Sequence, residues 1–89
     1  FVELLEQQIS DREFKFSARL ELDYINETYN LNFEEDEANE TLGAYIVYHN
    51  EDIPKQNEQL EINYIFINII KVDSSKIVEV SLKLQDNND

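Results

Sequence analysis

Eighty-nine residues with twenty acidic and seven basic side chains, no cysteine and one histidine make one small domain that must be held by packing, because disulfides, thiolate metal centres and histidine-rich sites are excluded. The formal charge of −13 repels nucleic acid and anionic lipid. No apolar run is long enough to span a bilayer, so no direct membrane insertion is expected of this stretch, and a start at Phe1 with no signal-peptide pattern reads as a piece of a longer protein.

Val2, Leu4, Leu5 and Ile9 recur at helical spacing among polar residues, which predicts a short amphipathic linker helix over residues 1–10. Phe14, Phe16, Ala18 and Leu20 alternate with Lys15, Ser17, Arg19 and Glu21, the period of a strand with one face on a core. Leu22, Ile25 and Tyr29 fall on one side of a helix that should stop near Asn30, a residue that tolerates left-handed backbone. Residues 32–40 are acidic and aperiodic, with Glu34, Glu35, Asp36 and Glu37 in a row, and read as a loop.

Thr41 is placed to cap a second helix carrying Leu42, Tyr45, Ile46 and His49. The small pair Gly43-Ala44 at its start permits close backbone packing. After Pro54, Leu60 and Ile62 begin a strand, Asn63-Tyr64 offers a two-residue turn, and Ile65, Ile67 and Ile69 alternate, with Phe66 and Ile70 on the second face. Asp73-Ser74-Ser75 turns the chain into Val78, Val80, Leu82 and Leu84, with Ile77 out of phase, as a bulge or strand edge would leave it. Residues 85–89 read as a frayed tail. The expected architecture is α+β: a small antiparallel sheet of about four strands, two helices on one face, in the order strand-helix-helix-strand-strand-strand after the linker helix.

Chemistry is sparse. His49 shares a helix face with Leu42, Tyr45 and Ile46, the setting of a half-buried structural imidazole, and nothing supplies a nucleophile or an orienting partner. Asp23 and Glu27 lie four apart on one helix face and read as solvated charges. Glu34, Glu35, Asp36 and Glu37 are hard oxygen ligands, yet they lack the alternation and central glycine of a calcium loop. Neither a catalytic nor a metal site is expected. Phe14 and Phe16 belong to the core and Phe33 covers one end of it, while Tyr24, Tyr45, Tyr48 and Tyr64 are expected to be partly exposed. The candidate interaction surfaces are the N-terminal apolar stripe of Val2, Leu5 and Ile9 and the sheet face carrying Phe66 and Ile70.

Over residues 11–84 the order of these elements resembles the transporter-associated domain of the CorC/HlyC group, which comprises magnesium and cobalt efflux proteins and hemolysin-like proteins. The resemblance rests on Leu22-Asp23-Tyr24-Ile25-Asn26, Tyr29-Asn30-Leu31-Asn32-Phe33, the acidic loop, Thr41-Leu42-Gly43-Ala44, the corner Ile53-Pro54-Lys55-Gln56-Asn57-Glu58, and Lys76-Ile77-Val78-Glu79-Val80. Asn30, Asn57 and Tyr64 stand where the family has turn glycines.

The resemblance implies a non-catalytic regulatory domain on the cytoplasmic side of the membrane, following membrane-spanning segments and a pair of CBS domains. Its partners would be those neighbours; the residues themselves, through the sheet face of Phe66 and Ile70 and the N-terminal stripe, also suit a second copy in a homodimer. The family's fold is similar to part of a FAD-binding domain, but no Gly-x-Gly-x-x-Gly loop is present, so no cofactor is expected and FAD enters only by fold analogy. The alternative from a different class is a free-standing acidic decoy that occupies a nucleic-acid-binding protein.

Overall fold

The computed structural model describes residues 3–37 and 39–85. Along it run β1 (Glu6–Gln8), β2 (Glu13–Ser17), α1 (Leu22–Tyr29), α2 (Leu42–Asn50), β3 (Gln59–Ile62), β4 (Ile65–Asp73) and β5 (Lys76–Leu84). The strands form one antiparallel sheet in the order β1-β2-β5-β4-β3. The fold is therefore α+β as expected, with five strands in place of about four.

The fifth strand corrects the N-terminal reading. Where a helix over residues 1–10 is predicted, residues 6–8 are extended and pair with β2, Glu6 opposite Phe16 and Gln8 opposite Phe14. Leu4, Leu5 and Ile9 fit either period, and backbone satisfaction decides between them. Ser17 N donates to Leu5 O at 2.7 Å and Ile9 N to Glu13 O at 2.8 Å, bonds that an isolated ten-residue helix could not offset. Val2 and residues 86–89 of the tail lie outside the described residues.

One sheet face carries the core. Phe14 and Phe16 of β2 oppose Leu82 and Val80 of β5, which in turn oppose Ile67 and Ile69 of β4, and all six are buried. Against this face pack Leu22 and Ile25 of α1, Leu42, Tyr45 and Ile46 of α2, and Leu31 and Phe33 from the loop between them. The Tyr29 ring lies 5.4 Å from that of Phe14 and 5.1 Å from that of Phe16. Tyr45 departs from expectation: it is 1 % exposed, because its hydroxyl reaches the β3–β4 turn and accepts Asn63 Nδ2 at 2.8 Å, so the ring can be buried with its polar end satisfied.

Both helices begin against the exit of β2. Leu42 N donates to Leu20 O at 3.0 Å and Gly43 N to Ala18 O at 2.9 Å, while Leu22 N donates to Glu40 O at 2.8 Å, and Glu21 bridges Thr41. Thr41 Oγ1 accepts Ala44 N and caps α2 as the sequence predicts. This approach is what the glycine allows: a Cβ on Gly43 would stand 3.1 Å from Ala18 Cβ and 3.2 Å from Ala18 O. Asn26 fixes the chain after α1. Its side chain accepts Phe33 N at 2.9 Å and donates to Phe33 O at 2.9 Å and to Glu35 Oε2 at 3.0 Å.

The glycine-poor turns survive on left-handed residues. Asn30 ends α1 at φ 57°, and Asn57 in the corner stands at φ 71°. Asn63 and Tyr64 take φ 51° and 67°, and Ser74 and Ser75 take 51° and 66°, both pairs as a primed two-residue hairpin requires. Register shifts in the β4–β5 ladder leave Ile70 without an opposing residue and, near Ile77, do the same to Val78. These are the bulges that put Ile77 out of phase.

Two substitutions test this account by urea denaturation. Gly43→Ala should lower stability by about 1 kcal/mol and Gly43→Val by about 2–3 kcal/mol, because the contact is with backbone that also accepts the Gly43 amide. Tyr64→Gly should raise stability by about 0.5–1 kcal/mol by relieving a left-handed residue with a bulky side chain.

Candidate interaction surface

The sheet face turned away from the helices is the open surface of the domain. Strand alternation and the observed register set its side chains in rows across the strands. The central row runs Gln7, Lys15, Ser81, Asn68, Gln59. To one side lie Glu13, Lys83, Phe66 and Glu61, continued by Ile9, whose amide bonds Glu13. To the other lie Ser17, Glu79 and Lys71, with the bulged Ile70 beside Lys71 and Leu5 beyond Ser17.

Leu5, Ile9, Phe66 and Ile70, drawn from two stretches of sequence, thus share one face. They form no helical stripe; Leu5 and Ile9 flank β1 at one edge, and Ile9 is 48 % exposed. Phe66 and Ile70 are half-buried on β4. The charged members, Lys15, Lys71 and Lys83 against Glu13, Glu61 and Glu79, are equal in number. Sequence reasoning missed Lys83 and Glu79; the alternation of Glu79, Ser81 and Lys83 between core residues was their signal.

The helical side differs. Residues 20–54 hold ten acidic side chains and no lysine or arginine. His49 packs on Tyr45 and Tyr48, ring centroids 4.4 Å and 5.2 Å away, and shares an open hollow with Glu34, Glu35 and Asp36. Among the described residues no group of three or more His, Asp or Glu side chains is arranged to hold a metal. Asp23 accepts the Tyr24 amide at 2.7 Å and Glu27 is exposed. The amides of Leu42, Gly43 and Ala44, where a helix would offer a phosphate its N–H groups, are already bonded to Leu20, Ala18 and Thr41.

One polar contact ties β1 to α1. Glu6 lies exposed on the helical side of the edge strand, and its Oε2 accepts the hydroxyls of Tyr24 and Tyr29, each at 2.6 Å. Burial, then the bond to Glu6 and its charge, pushes the Tyr29 hydroxyl up to about 12. The bond to Glu6 is the main cause that raises Tyr24, and burial raises Tyr45.

The family model of the transporter-associated domain, CorC_HlyC, matches residues 7–86. The chain belongs to this family. A transporter-associated domain CorC_HlyC from Nitrosomonas europaea is similar at 18% identity and a TM-score of 0.79, over 94% of this chain and 100% of that one. A conserved protein of unknown function from Haemophilus influenzae Rd KW20 is 25% identical with a TM-score of 0.76, over 93% and 100%. The transporter-associated domain of a CBS domain protein from Porphyromonas gingivalis shares 13% identity at a TM-score of 0.73, over 91% and 98%. No curated protein matches the sequence significantly. Among the described residues no helix is long and apolar enough to cross a membrane.

The tyrosine shifts carry a sign. A hydroxyl whose folded pKa is raised contributes stability that is fully present below its unfolded value near 10 and is lost as pH rises toward 12. Thermal stability should therefore be flat up to about pH 9 and fall between about pH 10 and 12, and Tyr29→Phe should shallow that fall, as differential scanning calorimetry would measure.

Proposed function

We propose that this is a non-catalytic accessory domain that modulates divalent-cation transport or efflux by a larger membrane protein, acting from the cytoplasmic side through contacts with the CBS and membrane regions of that protein. The observation that carries the reading is the open sheet face, joined to family membership over residues 7–86. A domain without chemistry of its own affects a transporter only by contacting its states unequally. The balanced, partly apolar face with Leu5, Ile9, Phe66 and Ile70 is suited to such contact, whereas the acidic helical side repels anionic neighbours. No cofactor belongs to this reading.

The test is ion flux through the full-length parent, comparing wild type, Phe66→Glu with Ile70→Glu, and a deletion of residues 11–89. Both changes should shift the rate in the same direction, by about five-fold or more if the coupling has the usual size. Unchanged flux in both would sink the regulatory reading and leave a passive appendage.

A further inference from the structure

We infer that the open face of the sheet binds a second copy of this chain, the two sheets packing face to face about a two-fold axis that runs across the strands along the row Gln7, Lys15, Ser81, Asn68. The inference rests on the preceding reading only in taking this face as a contact surface. Net charge selects the face. Two chains of −13 repel through their helical sides, and the outer sheet face, where basic and acidic residues balance, is where a like copy is tolerated.

The pattern on the face is self-complementary. A two-fold axis along the central row brings each strand against its own copy with direction reversed, so that a residue two positions before the row meets the residue two positions after it on the partner. On β5 the residues flanking Ser81 are Glu79 and Lys83, which places Lys83 of one copy against Glu79 of the other, twice. On β4 those flanking Asn68 are Phe66 and Ile70, and at the edge those flanking Gln7 are Leu5 and Ile9. Charge meets opposite charge on β5 and apolar meets apolar on β4 and β1; on β2 Glu13 meets Ser17, and Lys15, on the axis, meets its own copy as the one like-charge contact of the row. An axis along β5 would instead set Lys83 against Lys83 and Glu79 against Glu79, with no opposite-charge pair on that strand to offset them.

Size agrees with a weak specific dimer. Five strands about 4.8 Å apart and on average about six residues long present on the order of 500–600 Å² per copy, or about 1,000–1,200 Å² in all, at the lower end for a specific interface. Aligned sheets pack about 10 Å apart with strands within about 30°.

Sedimentation velocity of residues 1–89 over ~1 µM to ~1 mM tests this, with a dissociation constant of about 1–100 µM expected. Phe66→Glu should weaken the dimer at least about thirty-fold. Lys83→Glu and Glu79→Lys should each weaken it about ten-fold, and the double variant should recover most of the loss, because the pair is exchanged across the axis. Tyr48→Glu, on the helical side, should leave it unchanged, and circular dichroism melts establish that each variant is folded. A monomer at every concentration, or no recovery in the double charge exchange, overturns the inference. Should Phe66→Glu with Ile70→Glu still alter flux in the parent while the domain stays monomeric, the regulatory reading survives and the second copy does not.

Discussion

The helical layer depends on one close approach, that of the start of α2 to the backbone leaving β2. Amide hydrogen bonds from Leu42 and Gly43 to Leu20 and Ala18 bring two backbones so close that a Cβ at Gly43 would meet Ala18 at 3.1–3.2 Å, tighter than ordinary van der Waals contact. Through Glu21 and Thr41 the same junction fixes where α1 begins. The single glycine of the chain is thus spent on proximity, and the left-handed positions, where glycine is usually found, fall to Asn, Ser, Tyr and, at the end of α2, Glu51. That allocation is informative because turns have substitutes and a helix lying on a carbonyl does not.

Much of the fold was legible because its determinants are local. The alternation that starts at Phe14, the Asn30 stop, the Thr41 cap and the two hairpin turns each depend on a few neighbouring residues, and the structure places them as read except that β2 ends at Ser17, where the chain turns so that Ala18 and Leu20 are buried outside the strand. The failures are non-local. Leu4, Leu5 and Ile9 satisfy both periods, and only the open edge of β2 decides between them. Tyr45 looked amphipathic on its own helix, and its burial is explained by Asn63, eighteen residues away. For the candidate surface, Phe66 and Ile70 could be assigned to a face by alternation, but no pattern in the sequence shows that Leu5 and Ile9 join them. The order of strands puts them there.

The Glu6 contact gives β1 a second role. A short, exposed edge strand whose rim carries a carboxylate held by two tyrosines resists extension of the sheet by another chain's edge, since a strand added there would have to pack over that charge. A copy that meets the face and a copy that would extend the edge are thereby distinguished, the first tolerated and the second opposed.

The place of β5 has a consequence for how the domain comes into being. It is the last strand in sequence and the middle one in space, with β2 on one side and β4 on the other. Until it is synthesised, the β1–β2 pair has no link to β4 and β3, and Phe14 and Phe16 lack their partners Leu82 and Val80. A ribosome-bound chain ending before residue 76 can form at most the separate β1–β2 and β3–β4 hairpins and frayed helices, so the apolar face stays open to chaperones until residues 76–84 emerge. Assembly is then expected to proceed from the β4–β5 hairpin to the distant β2, the slowest closure coming last.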